Sequence, residues 1–256
     1  MRKLKMKTTK ESSNLTKAYS NQTSQSKKTK AKLGLGYGSE FHLLRLLGRH
    51  RNSFDLKILS ALNYQNKKIE WLDFKYDSKQ FIPDKEYVGI EFLENSFNYS
   101  DLKKSWSKYW PSINNAQNWD AICKIDDEWI LIEAKSRKKE IESDCSASKD
   151  SKDFISKRFD LIKNKYGIKR QNDWTLNFYQ KANRILFVDY LTDNNIKATL
   201  LFVYFINGFK KDNKQQGVTS DSEWRDLIKI QDDYLGISDN KELKHKIVNL
   251  IIDIDK

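Results

Sequence analysis

The stretch NWDAICKIDDEWILIEAK, residues 118–135, carries the most informative pattern in this chain. Two apolar runs, 121–125 and 129–132, flank a cluster of three acids at 126–128. Short apolar runs separated by a polar cluster are typical of two strands joined by a tight turn. The sequence therefore predicts a β-hairpin in the middle of the chain, and its first run is long enough for a buried strand.

Charged residues stand at both ends of this hairpin. Successive strand residues point to opposite faces, so Glu133 and Lys135 share one face while Ala134 points away. Asp120 opens the first strand, and the turn brings it beside them. Two carboxylates suit Mg²⁺, which usually takes one or two protein acids and keeps several waters. A lysine at the same place could orient a water for attack on a phosphodiester.

The tripeptide acid-x-Lys is weak support by itself, because it recurs elsewhere in this charged chain. Asp73-Phe-Lys75 also lies in an apolar segment, but no earlier acid-bearing strand pairs with it. Glu133 differs because four apolar residues lead directly into it, as a buried strand requires. The alternative interpretation is an exposed hairpin whose charges are ordinary solvated side chains.

The acid, the turn and the Glu-x-Lys strand together resemble the active-site hairpin of the PD-(D/E)XK, or restriction-endonuclease-like, nuclease superfamily. The resemblance spans about residues 36–206 in element order. It implies an α/β fold in which helices flank a mixed central sheet with a restriction-endonuclease-like core. It also implies a nuclease that hydrolyses phosphodiester bonds with Mg²⁺ or Mn²⁺. Asp120 and Glu133 would hold the metal, with the Ala134 carbonyl as a further candidate ligand, and Lys135 would position the water and stabilise phosphate charge.

The same resemblance suggests two further catalytic residues. Glu40, in a helix before the first core strand, matches an acid that family members often carry there, although a first-turn acid also complements the helix dipole. Gln180-Lys-Ala-Asn-Arg184 is similar to the Gln-x-x-x-Tyr element of exonuclease-like branches, but Arg replaces Tyr. The alternative is that Gln180 and Arg184 satisfy buried polar partners. A second departure is Trp119 where the family's Pro-Asp has proline.

Positive charge is concentrated at the start of the chain. Residues 1–32 contain ten Lys or Arg and one Glu, which is +9 of the total +12. Few large apolar residues accompany these charges, so we expect a disordered tail that attracts nucleic acid, ahead of a nuclease-like domain over 33–256. The alternative is a solubilising leader without function. Within the domain, Arg137, Lys138, Lys139 and Arg184 are the candidate nucleic-acid contacts.

Periodicity outlines the remaining elements. Helices are predicted near 40–47, 54–62, 153–165, 173–193 and 222–234, with Ser39 as the cap of the first. Strands are predicted near 69–76, 87–93, 198–206 and 248–254. Residues 96–118 and 140–152 are predicted to be irregular.

Composition narrows the class of protein. Two cysteines cannot cross-link a secreted fold, the three histidines are scattered, and no apolar run reaches the length of a membrane span. We expect a cytoplasmic nuclease. The analogy of fold favours DNA over RNA as its substrate. The frequent use of Asn, Lys and Ile suggests a bacterial defence or mobile-element setting. The rival is a catalytically inactive nucleic-acid-binding or assembly protein that keeps the fold. Protein partners or a homodimer stay open.

Overall fold

The computed structural model describes residues 38–76, 78–79, 84–96, 98–111, 116–208 and 217–255. The predicted tail, residues 1–32, lies outside them. In chain order the elements are α1 (Ser39–Arg49), α2 (Arg51–Ala61), β1 (Glu70–Leu72), β2 (Lys75–Tyr76), β3 (Asp84–Lys85), β4 (Tyr87–Val88), α3 (Tyr99–Trp106), β5 (Asn118–Trp119), β6 (Ala121–Ile125), β7 (Glu128–Lys135), α4 (Lys149–Lys165), α5 (Tyr179–Asp193), β8 (Ala198–Ile206), α6 (Asp221–Leu235), α7 (Lys241–Lys244) and β9 (Ile247–Asp253). Turns of 3-10 helix cover Gly89–Leu93 and Lys138–Glu140.

A five-stranded sheet in the order β1-β6-β7-β8-β9 forms the centre of the domain. The pairs β1–β6 and β6–β7 are antiparallel, whereas the pairs β7–β8 and β8–β9 are parallel. Parallel neighbours need long crossover connections, and α4 with α5 and α6 with α7 lie in those connections. The predicted class, a mixed sheet flanked by helices, is confirmed at this level of detail.

Helices cover both faces of the sheet. Leu43 of α1 and Phe54 of α2 pack with Ala134 and the alternate residues of β7 that share its face. The opposite face carries α3, α4, α5 and α6, and Leu131 of β7 packs there. The alternation expected of a strand thus sends Ala134 to one layer and Glu133 and Lys135 to the other.

The central hairpin is present as predicted, although Glu128 belongs to its second strand and not to the turn. Ala121 pairs with Ile132 and Ile125 with Glu128, so the turn consists of two residues. Asp126 takes a left-handed φ of 54°, which Asp tolerates better than most residues. The long apolar run at 198–206 is also a strand as predicted, and all nine of its residues are buried.

Four predicted segments differ in the structure. The strand expected at 69–76 is divided into β1 and β2, which belong to different sheets. The strand expected at 87–93 ends after Val88, because Gly89 has a φ of 51° and begins a 3-10 turn. The segment 96–118 contains a helix, α3, whose Leu102 and Trp106 are buried. The helix expected at 173–193 begins only at Tyr179, since an Asp173 side-chain turn and a left-handed Asn177 precede it.

The first helix is held at its N-terminus by backbone contacts. Its cap residue is Gly38 rather than the predicted Ser39, and it has no side-chain cap bond. The Gly38 N–H donates to the Gly208 carbonyl at 2.8 Å, and the same oxygen lies 3.1 Å from Nε2 of His42.

Among the described helices, none combines the length and apolarity that a bilayer span requires.

Close packing leaves no room for a side chain at Gly208. Substitution of this glycine can be compared with substitution of Gly48, which has open space around it. A Cβ at Gly208 would stand 2.8 Å from the Cβ of Ser136 and 3.0 Å from that of Phe205. Gly208→Ala should therefore destabilise the fold by about 1–3 kcal/mol in urea unfolding. Gly48→Ala, inside α1 with open space around it, should stabilise by about 0.5–1 kcal/mol. Equal effects of the two changes would contradict the packing at Gly208.

Candidate active site

Asp120 lies where the chain passes from one strand ladder to another. β5 pairs with β4, and β6, one residue later, pairs with β7. Both registers, continued by one residue, place Asp120 opposite Glu86 on one side and opposite Glu133 on the other. Directly opposed strand residues share a face of the sheet. The hairpin therefore brings the two predicted carboxylates together, with a third acid close by.

The Asp120 carboxyl group is held by the neighbouring strand. Its Oδ2 accepts a hydrogen bond of 2.7 Å from the Ala134 N–H. Burial of the carboxyl group and, second, the nearby Glu133 carboxylate raise the pKa of Asp120 to about 7, against the lowering effects of Lys135 and the Ala134 N–H. Asp120 therefore exchanges its proton near neutral pH, as general acids and bases do.

Glu133 is buried between two cations. Its Oε1 accepts from the Lys135 ammonium, and its Oε2 accepts from Nε and Nη2 of Arg184 at 3.0 and 2.7 Å. Burial opposes ionisation of Glu133, but Arg184 and Lys135 outweigh it and hold the pKa of this carboxyl below its usual value. Glu133 is thus the acid whose ionised form the site favours.

Arg184 has a different setting from the one expected of a nucleic-acid contact. It is buried, and besides Glu133 it donates to the Asn118 carbonyl at 2.7 Å and to the Asn183 side chain at 2.8 Å. Its guanidinium also lies 4.8 Å from the centre of the Trp119 ring. Protein acceptors engage all three nitrogens of the guanidinium, so its place is inside the site.

Gln180 and Lys135 line the same small cavity. Gln180 is the second residue of α5, half-buried, and its backbone N–H donates to the Ser143 hydroxyl at 2.9 Å. The structure thus brings Gln180 to the Lys135 end of the site, one helical turn before Arg184.

Glu40 lies in the first turn of α1 and is half-buried. The stripe it shares with Leu44 and Leu47 is not the deepest one of α1, which consists of His42, Leu43 and Leu46. Leu44 and Leu47 instead line a groove that includes Ala121, the residue after Asp120. This groove lies on the Ala134 face of the sheet, so the structure places α1, and Glu40 with it, in the layer opposite to Glu133 and Lys135.

The basic stretch after β7 is a surface feature. Arg137 is half-buried and pairs with Glu140 at 3.1 Å, while Lys138 and Lys139 are exposed. These residues follow Lys135 directly, so they lie just outside the site and are accessible to a polyanion.

The carboxylates fit a hard cation in type and in available oxygens. In the part of the chain that the structure describes, Asp120 Oδ1 has no hydrogen-bond partner and Glu133 Oε1 accepts from Lys135 alone. A carboxylate oxygen has two lone pairs, so both can still bind a cation. The N–H and C=O of one strand residue point to the same edge, so the Ala134 carbonyl faces Asp120 as its N–H does. No three His, Cys, Asp or Glu side chains among the described residues form a complete metal site.

Sequence reasoning missed Glu86 and the role of Arg184. Glu86 stands in a polar segment between β3 and β4, where no apolar pattern marks it, and only the β4–β5 pairing brings it to Asp120. Arg184 was recognised by its spacing from Gln180, but its bond to Glu133 joins residues 51 apart in the chain. A buried glutamate on a central strand needs a compensating cation. The polar stripe of α5 that contains Arg184 was the feature of the sequence that could have identified this cation.

A scan against protein-family models gives no match, and searches of curated proteins and of solved structures find none either.

The Asp120 carboxyl group should make stability depend on pH. Its pKa is about 7 in the fold against 3.8 in an unfolded chain, so the folded state binds the extra proton between these values. Stability is then lost as pH rises from about 4 to 7. Asp120→Asn keeps an acceptor for Ala134 and stays neutral. It should therefore exceed the wild type at pH 8 by on the order of 2–3 kcal/mol, with a smaller advantage at pH 5. Chemical unfolding at both pH values measures this, and a constant difference would contradict it.

Arg184 should be essential to the fold of the site. Arg184→Met leaves Glu133 buried with one cation fewer and should cost about 3 kcal/mol. Arg225→Met is the matched control, because Arg225 pairs with Asp221 on the exposed face of α6 and its loss should have no measurable effect. Urea denaturation compares the two, and a tolerated Arg184→Met would show that Glu133 does not depend on it.

Proposed function

We propose that this protein is a metal-dependent nuclease that hydrolyses phosphodiester bonds, with DNA the favoured substrate. The observation that carries the proposal is the meeting of Asp120, Glu133 and Lys135 on one face of the β6–β7 pair. The mixed sheet flanked by helices around this hairpin supports the proposal, because the resemblance to the restriction-endonuclease-like superfamily implies a fold of that class. The preference for DNA over RNA rests on that analogy of fold.

Asp120 and Glu133 would hold the cation, together with the Ala134 carbonyl. A bound Mg²⁺ or Mn²⁺ would supply Lewis-acid activation of the scissile phosphate and of water. Asp120, with a pKa of about 7, loses its proton before it can bind a cation, so affinity should increase with pH up to neutrality. Glu133 is already ionised, and Arg184 fixes the direction in which its carboxylate points.

Lys135 would act on the reacting groups. Its ammonium is buried and bonds to Glu133, which fixes the side chain on the face that a substrate phosphate would approach. A fixed cation of this kind orients a water for attack and stabilises the charge that develops on the phosphate. Arg137, Lys138 and Lys139 would bind the backbone outside the site, and residues 1–32 would add non-specific attraction that weakens with salt.

The second candidate function is a nucleic-acid-binding or assembly protein without catalysis. The specific observation in its favour is that Lys135 and Arg184 neutralise Glu133 within the protein. A carboxylate that is already neutralised in this way attracts a metal cation less strongly than a carboxylate without cationic neighbours. The two functions differ in whether Mg²⁺ binds at Asp120 and Glu133, which calorimetry measures without a substrate.

Cleavage assays decide between the functions. Plasmid and single-stranded DNA should be cut with Mg²⁺ or Mn²⁺ and not with EDTA. Asp120→Asn, Glu133→Gln and Lys135→Met should each lower the cleavage rate by at least about 100-fold while DNA binding stays close to that of the wild type. Because the three residues act as a unit, double variants should be scarcely slower than single ones.

The matched control is Asp127→Asn at the turn of the same hairpin. Asp127 pairs with Lys197 in an exposed position and should have no effect on cleavage. Wild-type protein that binds DNA but neither binds Mg²⁺ nor cuts would establish the non-catalytic function instead.

A further inference from the structure

A narrow polar cavity lies behind Lys135, on the side away from Asp120. Its lining includes the side chains of Lys135, Gln180, Lys181, Tyr204 and Gln231. Lys135 and Tyr204 are directly paired across β7 and β8, so both side chains stand on the same face of the sheet. The cavity measures about 10 Å³. A volume of about 10–15 Å³ is what one water molecule needs.

Two of the residues that line this cavity each carry a buried polar atom without a hydrogen-bond partner among the described residues. These atoms are the Tyr204 hydroxyl and Oε1 of Gln231, and both residues are almost completely buried. Nε2 of Gln231 donates to the Ile141 carbonyl at 3.4 Å, so the amide directs its oxygen away from that contact. Burial raises the pKa of Tyr204, with Asp232 and Glu133 adding to the effect, so the hydroxyl keeps its proton and can donate.

The two lysines of the cavity are not equivalent. Lys181 is bound to Asp232, which compensates its charge. Lys135 bonds to Glu133 through one of the three N–H donors of its ammonium. Lys181 likewise keeps two donors beside its bond to Asp232, and what distinguishes Lys135 is its position directly opposite Tyr204 in the β7–β8 pairing.

We infer that one ordered water molecule binds here and makes Tyr204 a positioning residue for Lys135. The water would accept hydrogen bonds from the Tyr204 hydroxyl and from the Lys135 ammonium, and it would donate one to Oε1 of Gln231. Three partners are the usual number for a buried water, and they satisfy both orphaned atoms. Lys135 is then fixed by Glu133 on one side and by the water on the other.

The functional part of this inference rests on the proposed nuclease activity. With two of its N–H groups fixed, the Lys135 ammonium directs the third towards the substrate side. Tyr204 does not touch the reacting groups, so its loss should reduce the turnover rate through disorder of Lys135 and leave substrate affinity unchanged.

Thermal unfolding tests the water without any assay of activity. Tyr204→Phe removes only the hydroxyl. A bound water predicts a fall in Tm of about 2–4 °C, as for a hydroxyl that has a partner. Tyr190→Phe is the reference variant. It shows the change in Tm for a hydroxyl that has a partner, because the Tyr190 hydroxyl donates directly to the Leu102 carbonyl at 2.7 Å. A dry cavity predicts the opposite, since removal of an orphaned hydroxyl raises Tm. A rise in Tm for Tyr204→Phe would overturn the inference.

Double variants test whether the three side chains share one water. The effects of Tyr204→Phe and Gln231→Met should not be additive, and the same holds for Tyr204→Phe with Lys135→Met. Tyr190→Phe with Lys135→Met should be additive. Additive effects in all three pairs would exclude a common water. For cleavage, Tyr204→Phe should lower kcat about tenfold at constant KM. If the wild type does not cleave at all, the nuclease proposal fails while the thermal data still decide the water.

Discussion

The contact between the Arg184 guanidinium and the Glu133 carboxylate is the interaction on which the rest of the site depends. It joins the crossover helix α5 to the central strand β7, and through the Asn118 carbonyl it also fixes the end of β5. Two buried charges are costly to remove from water unless their geometry is good. The planar guanidinium meets that condition because it donates in several fixed directions at once and lies against the Trp119 ring.

The same contact makes the two carboxyl groups, Glu133 and Asp120, differ in how readily they ionise. Glu133 has both cations and remains ionised, whereas Asp120 has one backbone N–H and a neighbouring negative charge. Neighbouring acids whose environments push their pKa values apart are typical of sites that divide chemical roles. Here the difference has a structural cause, because Arg184 approaches from the helix layer and reaches Glu133. Asp120 lies between β5, which pairs with β4, and β6, which pairs with β7, and Glu86 is beside it.

Local sequence was sufficient where one pattern governs the structure. The hairpin and β8 follow from apolar runs and an acidic turn, and the bounds of β6 and β8 agree with the prediction. The error at Tyr87–Leu93 arose because a glycine with a positive φ redirects an apolar run that reads as a strand. Helix α3 and the neighbourhood of Glu86 depend on tertiary packing, which periodicity does not encode. The stripe of Gln180 and Arg184 was visible, but only the fold shows that it faces Glu133.

Chain separation gives the hairpin a consequence for biosynthesis. Asp120, Glu133 and Lys135 lie within 16 residues and can meet through a two-residue turn as soon as that segment is made. Arg184 is synthesised 51 residues after Glu133, and β8, the other neighbour of β7, comes later still. Local contacts form early, and distant ones wait for the closure of a long loop. A nascent chain therefore carries Asp120 and Glu133 before it carries Arg184, the cation that holds the Glu133 carboxylate in place.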